Sequence, residues 1–337
     1  METKLNYKRT FLIGLAFLSI CSFWQMYDNI IPLILQNTYH LGETMTGAVM
    51  ALDNVLAIFL LPVCGMLSDK VHTKLGRRMP FIVVGTILAV IFMMMLPMID
   101  NAEKARWATG GSFSNQVFFL GVLFLTLVSM GLYRSPAVAL MPDVTPNHLR
   151  SRANAVINLM GAVGGVYALI MIKVLVGKGE TPDYLPLFAS IAAVMAIAVG
   201  ILVITIRENK LREEVEKAEA ANADTIEEKA MAEGVEAAGE IEAVGDTGEA
   251  KAFEEKQKTA KTESAKDMPK DVKRSMYFML ASIFLWFTAY NAVTTAFSRY
   301  TKVVWKMEGG SFANCLMVAT VAAILSYIPI GNISAKI

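Results

Sequence analysis

Cysteine and charge are scarce in this chain of 337 residues, and the charges that are present nearly cancel. The three cysteines, Cys21, Cys64 and Cys315, lie far apart within apolar runs and lack the spacing of metal ligands, so we interpret them as small core residues. With 31 basic and 30 acidic residues, the net charge of +1 gives no reason to expect a nucleic acid partner. The sequence also lacks a phosphate-binding glycine loop, a metal cluster and a nucleophile triad, which argues against an enzyme and predicts no cofactor and no metal.

Long apolar stretches dominate the sequence instead. Hydrophobic residues make up 55% of the chain and the mean hydropathy is +0.47, which indicates a bilayer as the surroundings. A membrane-spanning helix needs about 20 mostly apolar residues. Eight stretches meet that condition, at residues 10–35, 46–68, 80–99, 116–140, 153–176, 184–206, 276–303 and 311–333. They predict an all-α, multi-pass membrane protein.

The short connections between these spans differ in positive charge. Lys70, Lys74, Arg77 and Arg78 lie between the second and third spans, whereas residues 37–45, between the first and second, contain no Lys or Arg. Because positively charged connections stay on the cytoplasmic side, the N-terminus is predicted to be cytoplasmic. We expect the protein to lie in the plasma membrane.

The long segment 207–274 is rich in Ala, Glu and Lys and has one aromatic residue, so it cannot bury a core of its own. We predict a cytoplasmic, largely disordered linker whose start, 208–221, extends the sixth span as a charged helix. The linker separates a six-helix bundle at 1–206 from two further spans at 275–337. Those two spans are the predicted start of a second bundle.

An internal repeat supports the prediction of two bundles. The end of the second span reads Gly-Met-Leu-Ser-Asp-Lys-Val at 65–71, and the end of the eighth reads Gly-Asn-Ile-Ser-Ala-Lys-Ile at 331–337. Trp24 and Trp286 take similar places in the first and seventh spans. The second copy stops before a Gly-Arg-Arg portion, so we expect the natural protein to continue through further spans.

The connection after the second span carries a specific motif. It reads Gly-Met-Leu-Ser-Asp-Lys-Val-His-Thr-Lys-Leu-Gly-Arg-Arg-Met-Pro-Phe at 65–81, and a second block reads Tyr-Arg-Ser-Pro-Ala-Val-Ala-Leu-Met-Pro-Asp at 133–143. The motif resembles the hallmark loop of the major facilitator superfamily, and in detail is similar to the glycoside-pentoside-hexuronide cation symporters and the sucrose-transporter-like group. The resemblance implies a complete first six-helix half of that fold plus the first two helices of the second half. It also implies alternating access about a site near the membrane midplane.

Within this motif the residue types suit an inner gate. A glycine lets neighbouring helices approach closely, a carboxylate accepts hydrogen bonds from basic groups, and a second glycine permits the turn that carries two arginines. The alternative is that these charges only anchor the loop among lipid head groups. The predicted gating residues are Gly65, Asp69, Gly76, Arg77, Arg78 and Asp143.

Ionisable residues within a span are costly to bury and are functional candidates for that reason. Asp28 lies in the first span and Asp53 in the second. Counted at about 1.5 Å per residue, both come to the same depth and face one cavity. A buried carboxylate beside a like-charged neighbour can bind a proton or a sodium ion at physiological pH. We therefore predict that Asp28 and Asp53 couple transport to a cation.

Arg134 is the third charge within a span, and two roles stay open for it: binding a hydroxylated or acidic substrate, or pairing with an acidic group near the inner gate, such as Asp143. In sucrose-type relatives the fourth-helix arginine falls where this chain has Val138. In melibiose-type relatives the position of Arg134 is acidic, and the second-helix carboxylates align nearer Ala57 and Leu61. Neither site is intact here, and these departures slightly favour the proton over sodium.

Aromatic and amide side chains near these charges suit a sugar, because an apolar ring packs on its C–H surface while amides and hydroxyls bind its hydroxyls. Ordinary helix packing and an interfacial aromatic belt are the alternatives. The predicted substrate-binding residues are Trp24, Gln25, Tyr27, Asn54, Arg134, Tyr290 and Asn291.

The leading prediction is secondary active symport of a sugar or glycoside with a proton or another cation. An exporter of drugs or metabolites with the same fold is the nearest alternative, because fold alone does not fix the substrate. A non-transporting membrane sensor that signals through the cytoplasmic segment is a third possibility. An intramembrane aspartyl protease is disfavoured, since neither Asp28 nor Asp53 lies in a Gly-x-Gly-Asp block.

Overall fold

The computed structural model describes residues 6–71, 73–110, 115–179, 181–217 and 270–334. A 3₁₀ turn precedes the fifth helix, and a short helix at residues 208–217, here called the post-α6 helix, follows the sixth. The eight long helices of the described residues are α1 (Tyr7–Asn37), α2 (Glu43–Lys70), α3 (Met79–Ala108), α4 (Gln116–Asp143), α5 (Arg150–Leu175), α6 (Leu185–Thr205), α7 (Lys270–Val303) and α8 (Ala313–Ser334).

The helices α1 to α7 are long and apolar enough to cross a membrane, and α8 contributes a shorter apolar stretch at Ala313–Ala323. The predicted all-α, multi-pass architecture is therefore confirmed for the described residues. Each predicted span corresponds to one of these helices.

The third helix extends nine residues beyond the predicted end of its span, to Ala108. The extension carries charge pairs between Lys104 and Asp100 and between Arg106 and Glu103, and both carboxylates are buried. Such pairs, four or three residues apart, stabilise a helix that has left the hydrocarbon. Hydropathy alone marks the end of the bilayer and not the end of the helix.

The sixth span does not continue as a charged helix, contrary to the prediction for 208–221. Ile206 adopts extended backbone angles (φ −101°, ψ 115°), so α6 ends at Thr205 and the post-α6 helix begins anew at residue 208. Glu208, Leu211 and Val215 are the buried residues of this short helix, and they recur every three or four residues, as one face of a helix does. The rest of the predicted linker, 218–269, lies outside the described residues.

Contacts divide the chain into one unit of Met1–Ala218 and Thr294–Ile337 and a second unit of Glu219–Val293. The first unit contains α1 to α6, the post-α6 helix, the end of α7 and α8. Within it, α1 packs against α5, α3 against α4, and α8 against α5. In the second unit the described residues form the first part of α7, whose large apolar side chains are exposed.

Small residues on α5 bring it very close to α1. A Cβ added at Gly164 would lie 2.0 Å from the carbonyl oxygen of Leu18, so only glycine fits at this crossing. The Ser22 hydroxyl donates a hydrogen bond of 2.9 Å to the Gly164 carbonyl across the same contact. Because close backbone approach and interhelical hydrogen bonds drive helix association in lipid, this crossing fixes the position of α1.

Helix α4 is tied to three neighbours. Its Tyr133 donates to the Ala16 carbonyl of α1 at 3.0 Å, and a Cβ at Gly85 of α3 would come within 2.7 Å of the Tyr133 backbone nitrogen. On another face of α4, the Ser135 hydroxyl donates to the Leu61 carbonyl of α2 at 2.9 Å. These contacts place α1, α2 and α4 around a common space at mid-helix.

Candidate functional site

The loop between α2 and α3 is built around a tight turn. Gly76 has a φ of +125°, which L side chains rarely adopt. Reciprocal backbone hydrogen bonds join Thr73 and Gly76, at 3.3 and 3.1 Å. The turn places Arg77 and Arg78 beside the C-terminal ends of α2 and α4, where Asp69 and Asp143 lie.

The two arginines form one network with the two predicted carboxylates. Arg78 bonds Asp69 at 2.6 Å and Asp143 at 3.0 Å, while Arg77 bonds Asp143 at 2.8 Å and approaches Asp69 at 3.7 Å. Arg78 also donates to the Gly65 carbonyl at 3.3 Å and to the Ser68 hydroxyl. The structure thus brings all six predicted gating residues together at one end of the bundle, in what we call the inner network.

Burial strengthens this network. The Arg78 side chain is only 7% exposed and that of Asp143 17%, so their charges interact with little screening by water. Partial burial lowers the pKa of the Arg77 guanidinium, but the hydrogen bond and charge of Asp143 outweigh it and leave the pKa above its ordinary value. Arg77 therefore stays charged at neutral pH.

Glu208 is the member of this network that the sequence did not reveal. Its side chain is 1% exposed and accepts hydrogen bonds of 3.0 Å from the backbone amides of Arg77, Arg78 and Met79. A carboxylate at this place caps the start of α3 and complements the positive end of its dipole. Gly76 permits the approach, because a Cβ there would lie 2.1 Å from a Glu208 carboxylate oxygen.

A sequence signal for this cap existed in the start of α3. Arg78 holds the N-cap position and makes no side-chain capping bond, and Met-Pro follows it. Helix starts without a local Ser, Thr, Asp or Asn need a partner from elsewhere. Nothing in the sequence indicates which acidic residue supplies it, because Glu208 is about 130 positions away along the chain.

A second group of functional candidates lies between α1, α2 and α4. Trp24, Asp53, Asn54 and Arg134 line a small cavity of about 30 Å³ together with apolar residues of α2 and α4. The Arg134 guanidinium stands 5.6 Å from the centre of the Trp24 ring, and Asn54 donates to the Asp53 carboxylate at 2.9 Å. We call Asp28, Asp53 and Arg134, together with Trp24 and Asn54, the central cluster.

The charges of the central cluster lack direct ion partners. Among the described residues, no basic group comes within 4.0 Å of Asp28 or Asp53, and no carboxylate comes that close to Arg134. Asp28 and Asp53 are nevertheless within electrostatic range of each other, as are Asp53 and Arg134. These groups interact through space without cancelling each other in pairs.

Two hydrogen-bond donors at the central cluster also have no partner among the described residues. The Trp24 indole nitrogen and the Tyr27 hydroxyl are buried, and neither finds a hydrogen-bond partner among the described residues. Tyr27 lies within electrostatic range of both Asp28 and Asp53. Unpaired donors in a buried place are costly unless water or a ligand satisfies them.

The remaining predicted residues are placed as follows. Gln25 faces α5, where its side-chain oxygen would lie 3.7 Å from a Cβ at Gly165. Tyr290 and Asn291 lie on the part of α7 that belongs to the second unit, where Tyr290 is exposed and stacks on Trp286 with ring centres 5.9 Å apart. Their role in substrate binding stays a prediction.

The two roles left open for Arg134 differ in their structural support. Asp143 is already paired with Arg77 and Arg78, whereas Arg134 stands beside Trp24 and near Asp53. The alternative of an ion pair between Arg134 and Asp143 is therefore wrong for this structure. Arg134 belongs to the central cluster and not to the inner network.

Apolar spanning helices around a few partly buried charges, joined at one end by a basic loop, are the architecture of a multi-pass membrane protein. A family model described as the Major Facilitator Superfamily matches residues 8–337, and the chain belongs to that family.

Curated relatives with partial similarity are plant proteins. The chain is 26% identical to the sucrose transport protein SUT3 of Oryza sativa subsp. japonica over 137 residues, which cover 38% of this chain and 27% of the relative. It is 36% identical to the sucrose transport protein SUC4 of Arabidopsis thaliana over 117 residues, 32% of this chain and 22% of the relative. The sucrose transport protein SUC3 of Arabidopsis thaliana is 28% identical over 120 residues, 33% of this chain and 20% of the relative. The matches thus span about a quarter of the length of these relatives.

Proposed function

We propose that the protein is a secondary active transporter that couples the movement of a cation, preferably a proton, to symport of a sugar or glycoside. The observation that carries the proposal is the central cluster, in which Asp53 lies within electrostatic range of both Asp28 and Arg134, and none of the three has an ion partner within 4.0 Å among the described residues. The names of the partial relatives, sucrose transport proteins, support the substrate class.

The two carboxylates supply the coupling chemistry. Two like charges in a medium of low dielectric do not both ionise readily, so a proton or a metal cation bound at one of them relieves their repulsion. Binding at Asp53 also removes its attraction for Arg134. Arg134 is then free to bind a substrate oxygen, which links cation binding to substrate binding.

The polar and aromatic neighbours suit a hydroxylated substrate. Trp24 offers a ring face, Asn54 and Gln25 offer amides, and the unpaired donors of Trp24 and Tyr27 point to missing acceptors. A cavity of about 30 Å³ holds one or two water molecules, whereas ligand pockets are about 300 to 1,000 Å³. A sugar therefore requires a wider state of this cavity.

Alternating access gives the inner network its role. We propose that its ion pairs hold α2, α3 and α4 together at the cytoplasmic end of the protein, in the plasma membrane, and rearrange when the inner side opens. The alternative, that the arginines only anchor the loop among head groups, fits poorly with an Arg78 side chain that is 7% exposed.

Transport in proteoliposomes tests the proposal. The full-length protein is reconstituted, and uptake of labelled mono- and disaccharides is measured under an imposed proton or sodium gradient. We expect one gradient to drive accumulation, and Asp53→Asn to abolish that drive while exchange of substrate across the membrane persists. The matched control is Asp183→Asn, the same change at an exposed residue outside the spans.

Two results would contradict parts of the proposal. If neither gradient drives any saccharide although the protein is folded and inserted, sugar symport is wrong and an exporter of the same family is favoured. If a saccharide accumulates equally in wild type and Asp53→Asn, the coupling role of Asp53 is wrong while symport stands. Comparing the two gradients separates the proton from sodium.

A further inference from the structure

One surface outside the inner network and the central cluster carries more basic than acidic residues. It is a cleft of about 480 Å³ between the start of α1 and the post-α6 helix. Four basic residues line it, Lys8, Arg9, Arg207 and Lys210, against one acidic residue, Glu214. We call it the basic cleft.

Most of this positive charge is uncompensated. Arg9 pairs with Glu214 at 3.0 Å, and both side chains are substantially exposed. Within the described part of the chain, Lys8, Arg207 and Lys210 have no carboxylate within 4.0 Å. The cleft therefore presents at least three free cationic groups around one opening, which is the local chemistry that recognises a phosphate.

The cleft lies where apolar spans give way to polar chain. Thr205 at the end of α6 and Leu12 near the start of α1 are part of its lining. Next to them in sequence, Ile204 is 83% exposed and Phe11 is 42% exposed. Exposed apolar side chains at the end of a spanning helix face lipid, so a headgroup in the cleft has acyl chains beside it.

We infer that the basic cleft binds the phosphate headgroup of an anionic phospholipid from the adjacent leaflet. The four cations attract the headgroup, and the neighbouring apolar side chains contact its acyl chains. The positive-inside pattern makes that leaflet the cytoplasmic one. This inference depends only on a membrane-spanning bundle, and not on the proposed sugar or cation.

The bound lipid would also act on the inner network. Lys210 lies two residues after Glu208 on the post-α6 helix, and Glu208 caps α3. A headgroup that joins Lys8 of α1 to Lys210 holds this short helix in place and so steadies the cap. The inferred lipid is thus a regulator of the inner network as well as a structural ligand.

Binding of short-chain lipids to the detergent-purified full-length protein tests the inference. The probes are dioctanoyl phosphatidylglycerol, dioctanoyl phosphatidylcholine and inorganic phosphate. We expect wild type to bind phosphatidylglycerol much more tightly than the other two. The triple variant Lys8→Gln, Arg207→Gln, Lys210→Gln should weaken that binding about a hundredfold, at roughly fivefold per basic residue near a charged surface.

The matched control is Lys217→Gln, which removes one positive charge from the same helix outside the cleft. It should bind phosphatidylglycerol as wild type does. Equal binding of phosphatidylglycerol by wild type and the triple variant, each eluting as a folded monodisperse species, would overturn the site. Equal affinity for phosphatidylcholine would overturn selection by charge, and equal affinity for inorganic phosphate would show that the cleft takes a free anion instead.

Discussion

The inner network and the central cluster hold their charges in opposite ways. At the inner end, Arg77 and Arg78 each contact both carboxylates, Asp69 and Asp143, and Glu208 is satisfied by three backbone amides. At the centre, the described residues offer Asp28, Asp53 and Arg134 no ion partner within 4.0 Å.

This difference separates stability from function. Charges that are buried and paired hold helices in register, and removing one partner exposes the cost of burying the other. Charges that are only partly buried and have no ion partner among the described residues add no ion-pair stabilisation, and they are available to change protonation or to bind a ligand. We therefore propose the gating role for the inner network and the coupling role for the central cluster.

The two groups share helices. Asp53 and Asp69 both lie on α2, and Arg134 and Asp143 both lie on α4. Sixteen residues of helix between the two aspartates of α2 span roughly 24 Å. A shift of α2 against α4 that follows cation binding at Asp53 must therefore also strain the pairs between Asp69, Asp143 and the arginines. This is a physical route between the site and the gate.

The strongest test of the comparison removes one arginine from each group. Arg78→Gln removes the charged hydrogen bonds of Arg78 to Asp69 and Asp143 and leaves Asp143 with Arg77 alone. We therefore expect a loss of about 3 kcal/mol in stability and a clear fall in apparent melting temperature. Arg134→Gln breaks no ion pair and should lower the melting temperature little, because its contact with Trp24 contributes only about 0.5 to 1 kcal/mol.

Uptake should show a different pattern for the same two variants. Arg134→Gln should lose saccharide uptake while folding normally. Arg78→Gln should keep substrate binding but lose the ability to hold the inner side closed. If both variants melt equally early, or if Arg134→Gln transports normally, the division of roles is wrong.

The next largest effect is expected for the cap at Glu208. In Glu208→Gln a neutral amide replaces the charged carboxylate that accepts hydrogen bonds from three backbone N–H groups. We expect this change to cost about 1.5 to 3 kcal/mol in stability. The amides of residues 77–79 should then exchange with solvent faster. Glu213→Gln, at an exposed position on the same helix, is the control and should change neither quantity. Unchanged exchange at 77–79 in Glu208→Gln would show that the cap is not stabilising.

The sequence predicts the spans and the inner network well because both depend on residues that lie close together in the chain. Apolar runs of about 20 residues identify spanning helices, and the Gly-Asp and Gly-Arg-Arg elements lie close enough in sequence to predict their contact. The proximity of Asp28 and Asp53 also follows from counting residues along two neighbouring helices.

The features that the sequence did not predict depend on contacts between residues far apart in the chain, which no local pattern encodes. Glu208 caps a helix that begins about 130 positions earlier, and Ile206 breaks the helix that propensity would continue. The neighbour of Arg134 depends on how α4 is rotated against α1, and that rotation is set by Tyr133 reaching the Ala16 carbonyl. Rotation of a helix about its axis follows from packing and not from hydropathy.

The smallest expected effect concerns the crossing that positions the central cluster. In Gly164→Ala the new methyl would lie 2.0 Å from the Leu18 carbonyl oxygen, so α1 must move away from α5. Such overpacking costs about 1 to 3 kcal/mol, and the shift of α1 displaces Trp24 from the cavity and moves Asp28 relative to Asp53. We therefore expect a lower melting temperature together with a raised KM for the saccharide.

Gly200 of α6 supplies the matched control for that substitution, because a Cβ there meets nothing within 4 Å. Gly200→Ala should be neutral or stabilising by up to about 1 kcal/mol, since alanine favours a helix more than glycine does. If Gly164→Ala behaves like Gly200→Ala, the close approach of α1 and α5 does not hold the central cluster in place. A raised KM in Gly164→Ala without any change at the inner network would show that the two charge groups are positioned by different helix contacts.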